Sequence, residues 1–143
     1  MRKAQLQQEA AFMRRSLFDQ GYLDEQFEEL EGLQDDSNPN FEEEIVTVFY
    51  SDTARMINNL DRALMSSPMD FDKLDNYMHQ FKGSCAGIGA KRVKLECIRF
   101  DECCAARDAD GCIRTFQRVK HEYATLKQQL QTYFQVARRA AQV

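Results

Sequence analysis

One stretch limits the fold more than any other. Cys112, Phe116, Val119, Tyr123, Leu126, Leu130 and Tyr133 recur at spacings of four and three, the apolar stripe of a single helix face held for about six turns. A strand would need alternation with period two, and no part of the chain keeps that period long enough. The stripe predicts a helix over roughly Gly111 to Arg138, and a helix apolar along one side buries that side against other helices.

The rest of the sequence offers partners for it. Leu6, Ala10, Met13 and Leu17 mark a first helix from about Arg2 to Asp19, with Gly21 as a C-terminal stop. A short second helix, about Asp24 to Leu33, turns Phe27 and Leu30 inward and leaves Glu25, Glu28, Glu29 and Glu31 on a solvated face. After the turn Asp35 to Asn40, Ser37 or Asn38 can cap a third helix. Pro39 suits its first position, and Glu42, Glu43 and Glu44 suit its positive end. That helix runs to about Met65 along Phe41, Ile45, Val48, Phe49, Met56, Leu60 and Leu64, with Asp52 near the stripe's edge. Ser66 to Asp70 breaks the chain, and Asp70 caps a fourth helix ending near Gly89. A fifth, about Arg92 to Arg107, carries Val93, Cys97, Phe100 and Cys104, before a turn at Asp108 to Gly111. Long helices joined by short turns predict an all-α, up-down-up-down four-helix bundle over residues 39–138. The two additional N-terminal helices, residues 1–34, form a cap over one end or side of a single domain.

Composition narrows the function. A formal net charge of −4 argues against a nucleic-acid binder. No apolar run approaches the ~18 residues of a membrane span, and the N-terminus lacks a signal-peptide core, so a soluble intracellular protein is expected. Five cysteines form no C-x-x-C pair, and four of them (Cys85, Cys97, Cys104, Cys112) sit on apolar stripes, which favours buried reduced thiols over zinc ligands or disulfides. Neither a Walker-type nor a G-x-G-x-x-G nucleotide loop occurs. A metal enzyme built on His79, His121 and carboxylates would lack the ligand spacings H-x-x-x-H and E-x-x-H.

The fourth helix carries the chemistry. Its stripe of Leu74, Met78, Phe81, Cys85 and Ile88 sets a core direction. At ~100° per residue His79 lies about 140° from it and faces solvent. One turn on is Gly83; Ala86 and Gly87 follow a turn later. Glycine on an exposed helix face costs roughly 1 kcal/mol relative to alanine, so this bare ridge calls for a reason other than stability. Lys82, at i+3, is the one long cation placed beside the ring. An exposed imidazole, a neighbouring ammonium and an open approach point to a nucleophile reached by another protein and loaded with an anion. Gln80 and Ser84 lie at the rim of the same region. His121 also faces outward, but Ala124 and Thr125 replace the lysine and glycine, which reads as an idle surface residue.

His79-Gln80-Phe81-Lys82-Gly83-Ser84, followed by Ile88-Gly89-Ala90, resembles the signature of histidine-containing phosphotransfer proteins. The flanking Phe18 to Phe27 and Phe71 to Asp75 look like the plant branch that serves cytokinin signalling. The resemblance spans nearly the whole chain. It implies a phosphorelay carrier, not an enzyme with a cycle of its own. Such a carrier accepts a phosphoryl group on His79 from the receiver aspartate of a hybrid sensor kinase and passes it to the receiver aspartate of a response regulator. Lys82 would contact the phosphoryl oxygens, and Gly83, Gln80, Ser84, Ala86 and Gly87 would form the docking surface. No cofactor is implied, magnesium coming from the receiver, and a monomer in cytoplasm and nucleus is expected. Some plant relatives lack the histidine and act as adaptors that sequester receivers, so a phosphorylation-independent adaptor is the alternative. The family often places a further polar residue of the fifth helix near the histidine, but neither Arg99 nor Asp101 is assigned that part. Lys91, Arg92, Lys94 and Arg99 read equally as capping charges or as steering toward acidic receivers.

Overall fold

The computed structural model describes residues 1–143 as six helices: α1 (Arg2–Asp19), α2 (Glu25–Gly32), α3 (Phe41–Leu64), α4 (Phe71–Ile88), α5 (Lys91–Ala105) and α6 (Ala109–Gln142). Polar pairs trace how α3 to α6 run beside one another. Arg138 of α6 donates to Glu43 of α3 at 2.6 Å, Thr53 meets Tyr123 at 2.7 Å, and Lys120 reaches Asp61 at 3.0 Å, so the two helices are antiparallel. Arg107 and Asp72 (3.2 Å) with Lys82 and Asp101 (2.5 Å) set α5 antiparallel to α4. Arg92 with Glu122 (3.0 Å) and Cys104 with Cys112 (3.6 Å) do the same for α5 and α6. Ser84 on Met56 ties α4 to α3 and closes the ring. This is the up-down-up-down bundle that the stripes predict, and Phe81, Phe100, Phe116, Leu60, Leu74 and Leu126 are fully buried at its centre.

The N-terminal pair is attached in two different ways. Helix α1 lies antiparallel along α6, with Leu6 packed on Val136 and Ala140. The α1–α2 link pairs with the α4–α5 corner. Asp24 N–H donates to the Gly89 carbonyl and Lys91 N–H to the Tyr22 carbonyl, each at 3.0 Å. Gly89 sits there at φ +78°, and a Cβ would stand 2.5 Å from Asp24 Oδ1 and 2.8 Å from Phe27 N. Glycine is thus required on two counts, left-handed backbone and close approach. The corner fixes the C-terminal end of α4 and seats Phe27 in the core.

Three local expectations are corrected. Helix α3 starts at Phe41 rather than at Pro39. Neither Ser37 nor Asn38 caps it; the position falls to Asn40, which makes no side-chain cap bond, while Gln34 Oε1 accepts the Glu42 N–H at 3.1 Å. Its inward face is also rotated: Glu42, Val46, Phe49, Thr53 and Leu60 are buried, whereas Ile45 is half-buried and Val48 is 56% exposed. Hydropathy misleads here because Thr53 satisfies its hydroxyl on the Phe49 carbonyl and on Tyr123, making a polar residue cheap to bury. At the far end of α6, Phe134 is buried and Tyr133 only half-buried. There α1 covers a second side of α6, and the bundle axis no longer dictates the stripe.

Buried Glu42 has an unpartnered Oε1. Beside it, Arg14 grips Glu31 through two hydrogen bonds of 2.7 and 2.8 Å. Burial first, then the Glu31 charge, pushes the Glu42 carboxyl up to about 7.

Candidate functional site

Helix α4 is held at both ends. Asp70 caps it by accepting the Lys73 N–H at 3.1 Å, and Gly89 terminates it in left-handed backbone. Between them Leu74, Met78, Phe81, Cys85 and Ile88 are all buried, as their spacing predicts. That burial fixes the rotation of the helix and turns His79 outward into solvent. The ring stands about 13 Å from either helix end, where the macrodipole contributes little.

The surface around it is bare. A Cβ added at Gly83 or at Gly87 would meet nothing within 4 Å. Gln80 and Ala86 are exposed on the same outer side. Ser84 is different: it is half-buried, with its hydroxyl toward Met56 Sδ at 3.8 Å, so it faces α3 more than the open ridge. Asp75 and Asn76, one turn before His79, are exposed as well.

Lys82 is not free. Its ammonium donates to Asp101 Oδ2 of α5 at 2.5 Å, and this bond, followed by the carboxylate's charge, raises the lysine above its ordinary range. The lysine therefore stays charged across the physiological range. Residue-by-residue reading left Asp101 unassigned because a carboxylate beside a phosphoryl site looks unfavourable. A signal was present nonetheless. Asp101 directly follows inward-facing Phe100, which puts it on the flank of α5, and antiparallel packing brings that flank to α4.

The other basic residues of this region are mostly engaged within the molecule. Arg92 pairs with Glu122 at 3.0 Å and stacks over Tyr22 at 4.4 Å, Lys94 lies 3.9 Å from Asp24, and Arg99 holds Glu96 at 2.6 Å. Lys91 is exposed. Arg92 also donates to the Gln20 carbonyl at the C-terminal end of α1, at 3.5 Å. His121 is exposed on α6. Cys85, Cys97, Cys104 and Cys112 are buried, and burial pushes the thiols of Cys85, Cys104 and Cys112 upward, toward the neutral form. No helix is long and apolar enough to cross a membrane.

A helical bundle with an exposed histidine on the outer side of a core helix, a lysine one turn on and two open glycines beyond it is the class of protein that the fold and this surface define. The profile of the Hpt domain matches residues 44–129. Histidine-containing phosphotransfer protein 4 of Arabidopsis thaliana is 58% identical over 118 residues, covering 82% of this chain and 93% of that protein. Pseudo histidine-containing phosphotransfer protein 5 of rice, Oryza sativa subsp. japonica, is 49% identical over 140 residues, 98% of this chain and 92% of its own. The crystal structure of the histidine-containing phosphotransfer protein MtHPt2 from Medicago truncatula superposes with a TM-score of 0.91 at 39% identity, covering 96% of this chain and 93% of that one. The chain belongs to the Hpt family, the phosphotransfer carriers of phosphorelays.

Proposed function

We propose that His79 is the residue that carries the phosphoryl group, moving it between the receiver domains of sensor kinases and response regulators in a plant relay of the cytokinin type. One observation carries this reading: His79 stands on an exposed ridge where Gly83 and Gly87 leave open space and Lys82 lies one turn away. A neutral imidazole nitrogen, most simply Nε2, attacks the phosphorus of a receiver's aspartyl phosphate. The N–P bond forms as the acyl phosphate's P–O bond breaks, and its electron pair leaves with the receiver carboxylate; the ring keeps its Nδ1 proton. The reverse sequence delivers the group to a second receiver.

The transition state is loose, so positioning and charge neutralisation do most of the work. Lys82 supplies this chain's share through a charge-assisted contact to the phosphoryl oxygens. Gly83 and Gly87 let the receiver's rim approach. The magnesium expected for receiver chemistry belongs to the partner, and a monomeric carrier moving between cytoplasm and nucleus fits the role.

The test mixes this protein with a ³²P-labelled receiver domain. Acid-labile label moves to the wild type and not to His79→Gln; label retained by the variant reassigns the site. Relatives named pseudo phosphotransfer proteins keep a second reading in view, an adaptor that binds receivers without accepting phosphate. Receiver binding by the wild type without label transfer would establish that one instead.

A further inference from the structure

The Lys82–Asp101 pair bears on how firmly this carrier holds its cargo. If the ammonium were free, a phosphoryl group on His79 would meet a full positive charge one helix turn away. In this structure that charge is already engaged at 2.5 Å by a carboxylate from the neighbouring helix. Their side chains are 31% and 26% exposed, so the pair is open enough to exchange partners without unfolding anything.

From this geometry we infer that Asp101 is a positioning residue that acts through Lys82 as a brake, competing with the phosphoryl group for the lysine ammonium and so setting how readily His79 takes up and gives away phosphate. The inference rests on the assignment of His79 made above. Lysine has three donors, but its direction is shared. To contact phosphoryl oxygens well it must turn from Asp101 and give up that bond. An exposed or half-exposed ion pair competes weakly, which sets the size of the effect at about two- to fivefold. The arrangement shifts the carrier toward releasing phosphate rather than storing it. Asp101 touches neither the imidazole nor its cargo in this account. Its influence runs through Lys82 alone, which makes it separable by mutation.

The experiment compares label uptake from a phosphorylated receiver, and the hydrolytic lifetime of the labelled carrier, in a double-mutant cycle. Asp101→Asn is expected to raise both the equilibrium share of label on the carrier and its lifetime by about two- to fivefold. Asp101→Ser should behave alike, giving a second variant should the first fold poorly, and Asp101→Glu, which preserves the ion pair, should stay near wild type. In a Lys82→Ala background, Asp101→Asn should change neither quantity. A fall in uptake for Asp101→Asn would overturn the inference by making Asp101 a support that holds Lys82 in place. An increase that persists without Lys82 would overturn it too, since the route through the ammonium would then be wrong. No label on the wild type would remove the His79 reading and this inference together. Label on the wild type with Asp101→Asn and Asp101→Ser indistinguishable from it would remove the inference alone.

Discussion

Gly83→Gln should move stability and function in opposite directions. Gly83 lies inside α4, well away from either cap, where glycine is ~1 kcal/mol less favourable than a good helix former such as alanine or glutamine. A Cβ there meets nothing within 4 Å, so no packing strain offsets the gain in propensity. The variant should therefore be more stable by about 0.5–1 kcal/mol, which for a chain of this size raises Tm by roughly 2–4 °C. Phosphotransfer should fall at least about tenfold, because a glutamine one turn from His79 holds the receiver back from in-line distance, and small displacements are costly in such reactions. Calorimetry gives the first quantity and rapid-quench transfer from a labelled receiver the second. Gly83→Ala should gain the same stability with a smaller loss of rate. A variant that melts earlier than wild type, or that transfers at the wild-type rate, would refute the claim that this glycine is retained for access.

Lys82→Ala should slow transfer roughly tenfold through loss of a charge-assisted contact, yet cost under about 1 kcal/mol of stability, as expected for a partly exposed pair; rate and urea midpoint measured side by side check this. Glu42→Gln should stabilise the protein in a pH-dependent way. The folded carboxyl is raised from 4.5 to about 7. Between those values the unfolded chain ionises while the folded one stays protonated, so wild-type stability drops with rising pH. Above about 7 the full loss, up to roughly 3 kcal/mol at ~1.4 kcal/mol per pH unit, is in place. Urea melts of wild type and variant should coincide near pH 4 and separate by pH 8; parallel curves would place the carboxyl in water instead.

The helices and the bundle were legible because each inward stripe repeats at helical spacing and each break carries a recognisable signal, such as Asp70 before α4 or Gly89 after it. His79, Gly83 and Lys82 were legible for the same reason: one helix with one buried face settles where its other residues point. Val48 and Thr53 defeated the reading of α3, since the burial of a threonine depends on a tyrosine hydroxyl seventy positions away. Ser84 looked like part of the rim, and only its neighbour Met56 shows that it faces inward between helices.

By itself the sequence determined most of what periodicity within one helix governs: six helical segments, the core side of each except α3 and the far end of α6, and a histidine on the outer side of the fourth with a lysine and two glycines on the turns that follow. Tertiary structure alone decided what stands across from that face. It set Asp101 against Lys82, clipped the α4–α5 corner to residues 22–24, and buried Glu42 beside the Arg14–Glu31 pair. The physical reason is range. Helical spacing is a local property carried by neighbours along the chain, whereas a charge pair between two helices exists only once their relative rotation and register are fixed by the packing of all the others.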